Sequence, residues 1–118
     1  SSITFMTAHD AKGYAEHDWR QLVRSGQALA IYMGRTSAPF LQGRLLMAGA
    51  DSNLVVTCIE NISRPSERHF VSTLAKFAQQ LKEEQWGGPL IILVGIGETA
   101  ARISVSPSDL RAVSDGRP

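Results

Sequence analysis

The chain has 118 residues, a length that suggests one domain, and its 43% hydrophobic and 19% charged residues suit a globular protein able to bury a core. A net charge of +1 gives no electrostatic case for nucleic acid or an anionic membrane, so neither is expected as a partner. The longest apolar run, Leu90 to Ile96, is too short to span a bilayer, and the single Cys58 allows no internal disulfide, which fits a cytoplasmic protein.

Ser1-Ser2-Ile3 opens directly into a strand with no initiator Met, so the chain reads as part of a longer protein. Residues 2–7 alternate Ile3 and Phe5 with threonines, the pattern of a half-buried strand. Residues 8–17 read as a polar loop. Asp18 reads as the cap of a short helix whose apolar stripe is Trp19, Leu22 and Val23, ended by Ser25-Gly26. Residues 28–34 follow as a buried strand, a run of apolar side chains that Gly34 stops. A strand ending in Gly ahead of a helix puts its carboxyl end where open α/β sheets bind ligands, although Met33 by itself reads as a gap-filling core residue.

From Ser37 to Ala48, Leu41, Leu45 and Leu46 recur at helical spacing, and Gly49 is a natural stop. Residues 53–60 form a strand rich in Val and Ile. The short polar link 61–66 leads to a strand over 68–72, and so brief a connection favours an antiparallel pair. Thr73 is the expected cap of a helix in which Leu74, Phe77, Ala78 and Leu81 share a face, and Gly87-Gly88-Pro89 ends it. Leu90–Val94 is a central strand. Beyond Glu98 the composition turns to Ser, Pro, Arg and Gly, giving an α/β domain over 1–98 and a loosely held tail over 99–118, with one helical turn at 107–110. The expected fold is α/β, a mostly parallel or mixed sheet of about five strands covered by helices.

The residues offer no self-contained catalytic constellation. His9 and His17 share a stretch with Asp10, Glu16 and Asp18, but without the short helical spacing of zinc enzymes, so no metal is expected. His69 reads as a sheet-face residue and Cys58 as a buried, inert thiol. Glu60 and Glu98 each lie near a strand end, with nothing to pair them. Gly95-Ile96-Gly97 lacks the third glycine of a dinucleotide loop, and Asn61-Ile62-Ser63 matches a glycosylation triplet by coincidence.

The succession of segments resembles the second half of uroporphyrinogen-III C-methyltransferases, which include the methylase part of siroheme synthase. The similar stretches are Phe5-Met6-Thr7-Ala8-His9, Asp18-Trp19, Leu29-Ala30-Ile31-Tyr32-Met33-Gly34, Ile59 through Arg68, Ser72-Thr73-Leu74 and Gly88 through Gly95. The resemblance implies methyl transfer from S-adenosylmethionine to ring carbons of a tetrapyrrole, uroporphyrinogen III, giving precorrin-2 on the way to siroheme and cobalamin. It also implies two α/β domains with the cofactor between them, a homodimer, and a first domain, absent here, that holds the glycine-rich grip on the cofactor.

Carried over by residue, the resemblance makes Met33 a cofactor contact with Tyr32 beside it. It sets Ile62 and Ser63 where a Gly-Thr pair approaches the cofactor, and Leu90 and Ile91 in the same wall. No catalytic side chain is implied, since holding an electrophilic methyl against a nucleophilic carbon needs few ionisable groups. Three departures stand out: Ala8 in place of Gly, Ile62 in place of Gly, where a side chain is expected to crowd the ligand, and Ile96-Gly97-Glu98-Thr99 after Gly95 in place of Gly-Glu-Val-Val. A non-catalytic ligand-binding or dimerisation module derived from a methylase is the alternative.

Overall fold

Leu90–Val94, buried at every position, is the middle strand of a five-stranded sheet in the computed structural model, which describes residues 3–95. The strands are β1 (Ile3–Thr7), β2 (Ala28–Met33), β3 (Val55–Glu60), β4 (Arg68–Thr73) and β5 (Leu90–Val94), in the spatial order β1-β2-β5-β3-β4. The helices are α1 (Ala8–Lys12), α2 (Glu16–Arg24), α3 (Ala38–Met47, entered through a 3-10 turn at Arg35–Ser37) and α4 (Phe77–Glu84). The sheet is mixed: β1 pairs with β2 in parallel, while β2–β5, β5–β3 and β3–β4 are antiparallel.

The helices share one face of this sheet. Trp19 of α2, Leu41 and Leu45 of α3, and Phe77 and Leu81 of α4 pack with Met6, Ile31, Met33, Cys58, Leu90 and Ile92 in one core. The opposite face carries a smaller cluster of Ala30, Ile59, Ile91 and Leu93, with Ile3, Phe5, Tyr32 and Ile62 packed against it. β5 contributes to both clusters, which is why its sequence shows no polar alternation.

Local chemistry moves three of the expected boundaries. Residues 8–12 are helical rather than loop, because the Thr7 hydroxyl accepts from the Asp10 N–H (3.0 Å) and the Asp10 carboxylate accepts from the Thr7 N–H (3.3 Å), a closed capping box. Asp18 is not the cap of α2. It sits one turn inside, and its carboxylate accepts from the Ala15 N–H at 2.8 Å, so the helix begins earlier, at Glu16. Thr73 is the last residue of β4 rather than a helix cap: the Leu74 and Ala75 N–H groups donate to the Leu54 and Ser52 carbonyls (2.9 and 3.0 Å), delaying α4 until Phe77. Apart from these three, β3 begins at Val55, two residues later than the composition suggested. The expected tail, its helical turn at 107–110, Glu98 and the glycine at 97 lie outside the described residues.

Candidate functional site

Strand register decides which way each candidate side chain faces. Directly opposed residues share a face, and successive residues alternate. One row runs across four strands as Met33, Leu90, Glu60 and Arg68. The adjoining row is Thr7, Tyr32, Ile91, Ile59 and His69. Met33 and Leu90 therefore point into the helix-side core, at 3% and 0% exposure, whereas Tyr32 and Ile91 point to the opposite face, where Ile62 joins them. The backbones of Tyr32, Met33, Ile62, Ser63, Leu90 and Ile91 thus gather at one end of the sheet, while their side chains divide between its two faces. Ser63 is exposed.

The turn after β3 is tied to the entry of β5. The Asn61 N–H donates to the Pro89 carbonyl at 3.1 Å. Asn61 (φ 54°) and Ser63 (φ 67°) hold left-handed backbone, a region Asn tolerates better than most residues, and the Ser63 N–H donates to the Glu67 carboxylate at 2.8 Å. Ile62 lies between them outside the left-handed region, so a residue with a Cβ is accommodated there, and its half-buried side chain lies on the Ile59–Ile91 face. Gly88 presses on this turn so closely that a Cβ there would sit 2.3 Å from Asn61 Oδ1.

Glu60 closes the arrangement, and the sequence marked it only as a carboxylate at a strand end. It is 3% exposed, with Oε1 accepting from Arg68 Nε (2.6 Å) and Oε2 from the Gly88 N–H (2.7 Å). Burial alone would raise its pKa. The Arg68 hydrogen bond, the Gly88 N–H, the Arg68 charge and the Gly87 N–H outweigh that and hold the carboxyl below its ordinary range. The Arg68 guanidinium lies over the Trp86 ring (5.2 Å), which in turn packs on Phe70 (5.1 Å). The signal available in the sequence was an Arg placed to face Glu60 across the loop end of a hairpin.

The remaining candidates stay apart from this end of the sheet. His9 lies on α1, and His17 on α2 beside Asp18 (3.2 Å), both exposed; among the described residues no group of three His, Cys, Asp or Glu is placed to hold a metal. Cys58 is fully buried, and desolvation pushes its thiol far up, away from nucleophilic use. A cleft of about 720 Å³ opens between α3 and α4, lined by Arg35, Gln42, Gln79, Lys82 and Gln85 among others, and none of the six expected contacts lines it.

No protein-family model matches the chain. A siroheme synthase of Pseudoalteromonas translucida is 34% identical over 94 residues, 80% of this chain and 20% of that protein. A uroporphyrinogen-III C-methyltransferase of Synechocystis is 28% identical over 97 residues, 80% of this chain and 37% of that protein. The chain thus spans about a fifth of the siroheme synthase and just over a third of the cyanobacterial enzyme. Among solved structures, a uroporphyrin-III C-methyltransferase from Thermus thermophilus, complexed with S-adenosylhomocysteine, superposes with a TM-score of 0.61 at 26% identity, over 86% of this chain and 43% of that one. A cobalt precorrin-4 methyltransferase of cobalamin biosynthesis shares the fold, with a TM-score of 0.69 at 14% identity, over 80% and 40%.

Proposed function

Because this chain belongs to the tetrapyrrole methylases, of which it matches one part, we propose that it forms one wall of an S-adenosylmethionine site in a uroporphyrinogen-III C-methyltransferase. The observation that carries this reading is the convergence, at one end of the sheet, of the end of β2, the turn at Asn61–Ser63 and the start of β5. The reaction assigned is methyl transfer to the ring carbons of uroporphyrinogen III, giving precorrin-2, in a cytoplasmic homodimer.

The residues present fit an adenosyl group in kind. Ile59 and Ile91 make a buried apolar floor, and the half-buried Tyr32 and Ile62 stand on it. Beside them runs a turn whose left-handed Asn61 and Ser63 turn the chain sharply. S-adenosylmethionine supplies an electrophilic methyl group on sulfur, and this wall holds and orients it while excluding water. No proton transfer is assigned to a side chain of the wall. Met33 and Leu90 support the wall from beneath, since their side chains lie in the core.

The test is a titration of the isotopically labelled chain with S-adenosylhomocysteine, followed by backbone amide resonances and by calorimetry. Shifts concentrated at Gly34, Asn61–Ser63 and Leu90–Ile91 are expected, with a dissociation constant on the order of 1 mM for a single wall. Shifts confined to the α3–α4 cleft would refute the placement, and micromolar binding by this chain alone would refute the division of the site. A non-catalytic ligand-binding or dimerisation module is the second reading, favoured by Ile62 standing where the family has Gly. Replacing Ile62 with Gly strengthens binding if the side chain crowds the adenosyl group; an unchanged affinity removes the crowding argument.

A further inference from the structure

Glu60 makes none of the ligand contacts assigned above, yet it is the buried charged side chain among the described residues, at the end of β3 opposite Leu90 and next to the Asn61–Ser63 turn. Its two oxygens serve different parts of the chain. Oε1 takes the Arg68 side chain from the far arm of the β3–β4 hairpin, and Oε2 takes the Gly88 backbone N–H from the segment entering β5. A second tie runs in parallel, from the Asn61 N–H to the Pro89 carbonyl (3.1 Å), and the Gly88 Cα packs against the Asn61 amide with no room for a Cβ. Behind the carboxylate, Arg68 is braced by the Trp86 ring, which Phe70 supports.

We propose that Glu60 is a positioning residue that fixes the spacing between the Asn61–Ser63 turn and the Gly88–Ile91 segment, and through them the shape of the adenosyl wall. This rests on the functional reading above. An acceptor with two oxygens is required because the donors arrive from two sides, one from a strand side chain and one from a loop backbone. Charge strengthens both bonds, and the surrounding donors keep the carboxylate ionised despite its burial. A neutral glutamine at this position turns its NH₂ group toward one of the two donors, so one tie is lost.

The experiment compares the full chain with its Glu60→Gln variant and with the double variant Glu60→Gln, Arg68→Gln, using S-adenosylhomocysteine titration and amide hydrogen exchange. The single variant is expected to bind about tenfold more weakly. Its Asn61 amide is expected to exchange faster, while amides of the β2–β5 ladder keep their protection. The double variant is expected to recover affinity to within about twofold, because glutamine at both positions restores a donor–acceptor match and leaves a carbonyl for the Gly88 N–H. The reversed pair Glu60→Arg, Arg68→Glu keeps the opposite charges but removes that acceptor, and is expected to stay weak. Unchanged affinity in Glu60→Gln overturns the positioning role alone, as does full recovery in the reversed pair. No response of the unsubstituted chain to S-adenosylhomocysteine overturns the functional reading and the positioning role with it.

Discussion

Gly88→Ala tests the junction between the turn and β5 from the loop side. A Cβ at Gly88 falls 2.3 Å from Asn61 Oδ1 and 3.0 Å from Cγ, so the Asn61 side chain has to leave its present position. Asn61 cannot retreat with its backbone, because its N–H is held by the Pro89 carbonyl and its φ is already 54°. Overpacking against a held neighbour costs about 1–3 kcal/mol. With a urea slope near 1.5 kcal/mol/M, a loss of about 1.5 kcal/mol moves the midpoint of unfolding down by about 1 M. Asn61→Gly removes the obstructing side chain and suits the positive φ, so alone it is expected to change stability by less than about 0.5 kcal/mol. In the double variant the alanine then costs almost nothing, giving a coupling energy above about 1 kcal/mol in the cycle. Urea unfolding followed by circular dichroism supplies all four corners. Equal costs for the alanine in both backgrounds would show that the Asn61 contact is not what keeps position 88 a glycine.

Three further outcomes follow from the same geometry. The lowered pKa of Glu60 means that the native state favours its ionised form, so its stabilisation is complete above the ordinary carboxyl value of 4.5 and fades as pH falls below that toward the native value; Glu60→Gln flattens this part of the stability profile, and parallel profiles would refute it. Cys58 is expected to react with an alkylating reagent only through opening of the sheet, at least about a thousandfold more slowly than in urea-unfolded chain; rapid native labelling would contradict its burial. Trp86 is 2% exposed and its indole N–H has no hydrogen-bond partner among the described residues, so Trp86→Phe loses volume but also removes an unpaired donor. It is expected to cost less than about 1.5 kcal/mol, against about 3–5 kcal/mol for Trp86→Ala, as read by urea midpoints.

Periodicity made most of the elements legible. The Ile3–Phe5 alternation, the Leu41–Leu45 spacing and the Phe77–Leu81 stripe each correspond to a strand or helix of the structure. What escaped was chemistry shorter than a period. The helix at residues 8–12 is too brief to show an amphipathic stripe, although Thr7 and Asp10 stand at capping-box spacing. A strand apolar on both faces reads as readily parallel as antiparallel, and β5 is antiparallel to both neighbours. The candidate site divides in the same way. Similarity of segments brought six residues together along the chain, and the structure gathers their backbones at one sheet end. Facing is a property of register, which depends on partners far away in sequence, and it is register that sends Met33 inward and Tyr32 outward.

The central position of β5 also constrains how the chain is made. β1 pairs with β2 and β3 with β4 through connections that are complete early in synthesis, but the two pairs are not bridged until β5, the strand that lies between β2 and β3, is added. On a ribosome the two half-sheets therefore emerge with their inner edges unpaired, and they join only when residues 90–94 have left the exit tunnel. The wall assigned to the adenosyl group is assembled in that same last step, because its Leu90–Ile91 part is the strand that closes the sheet.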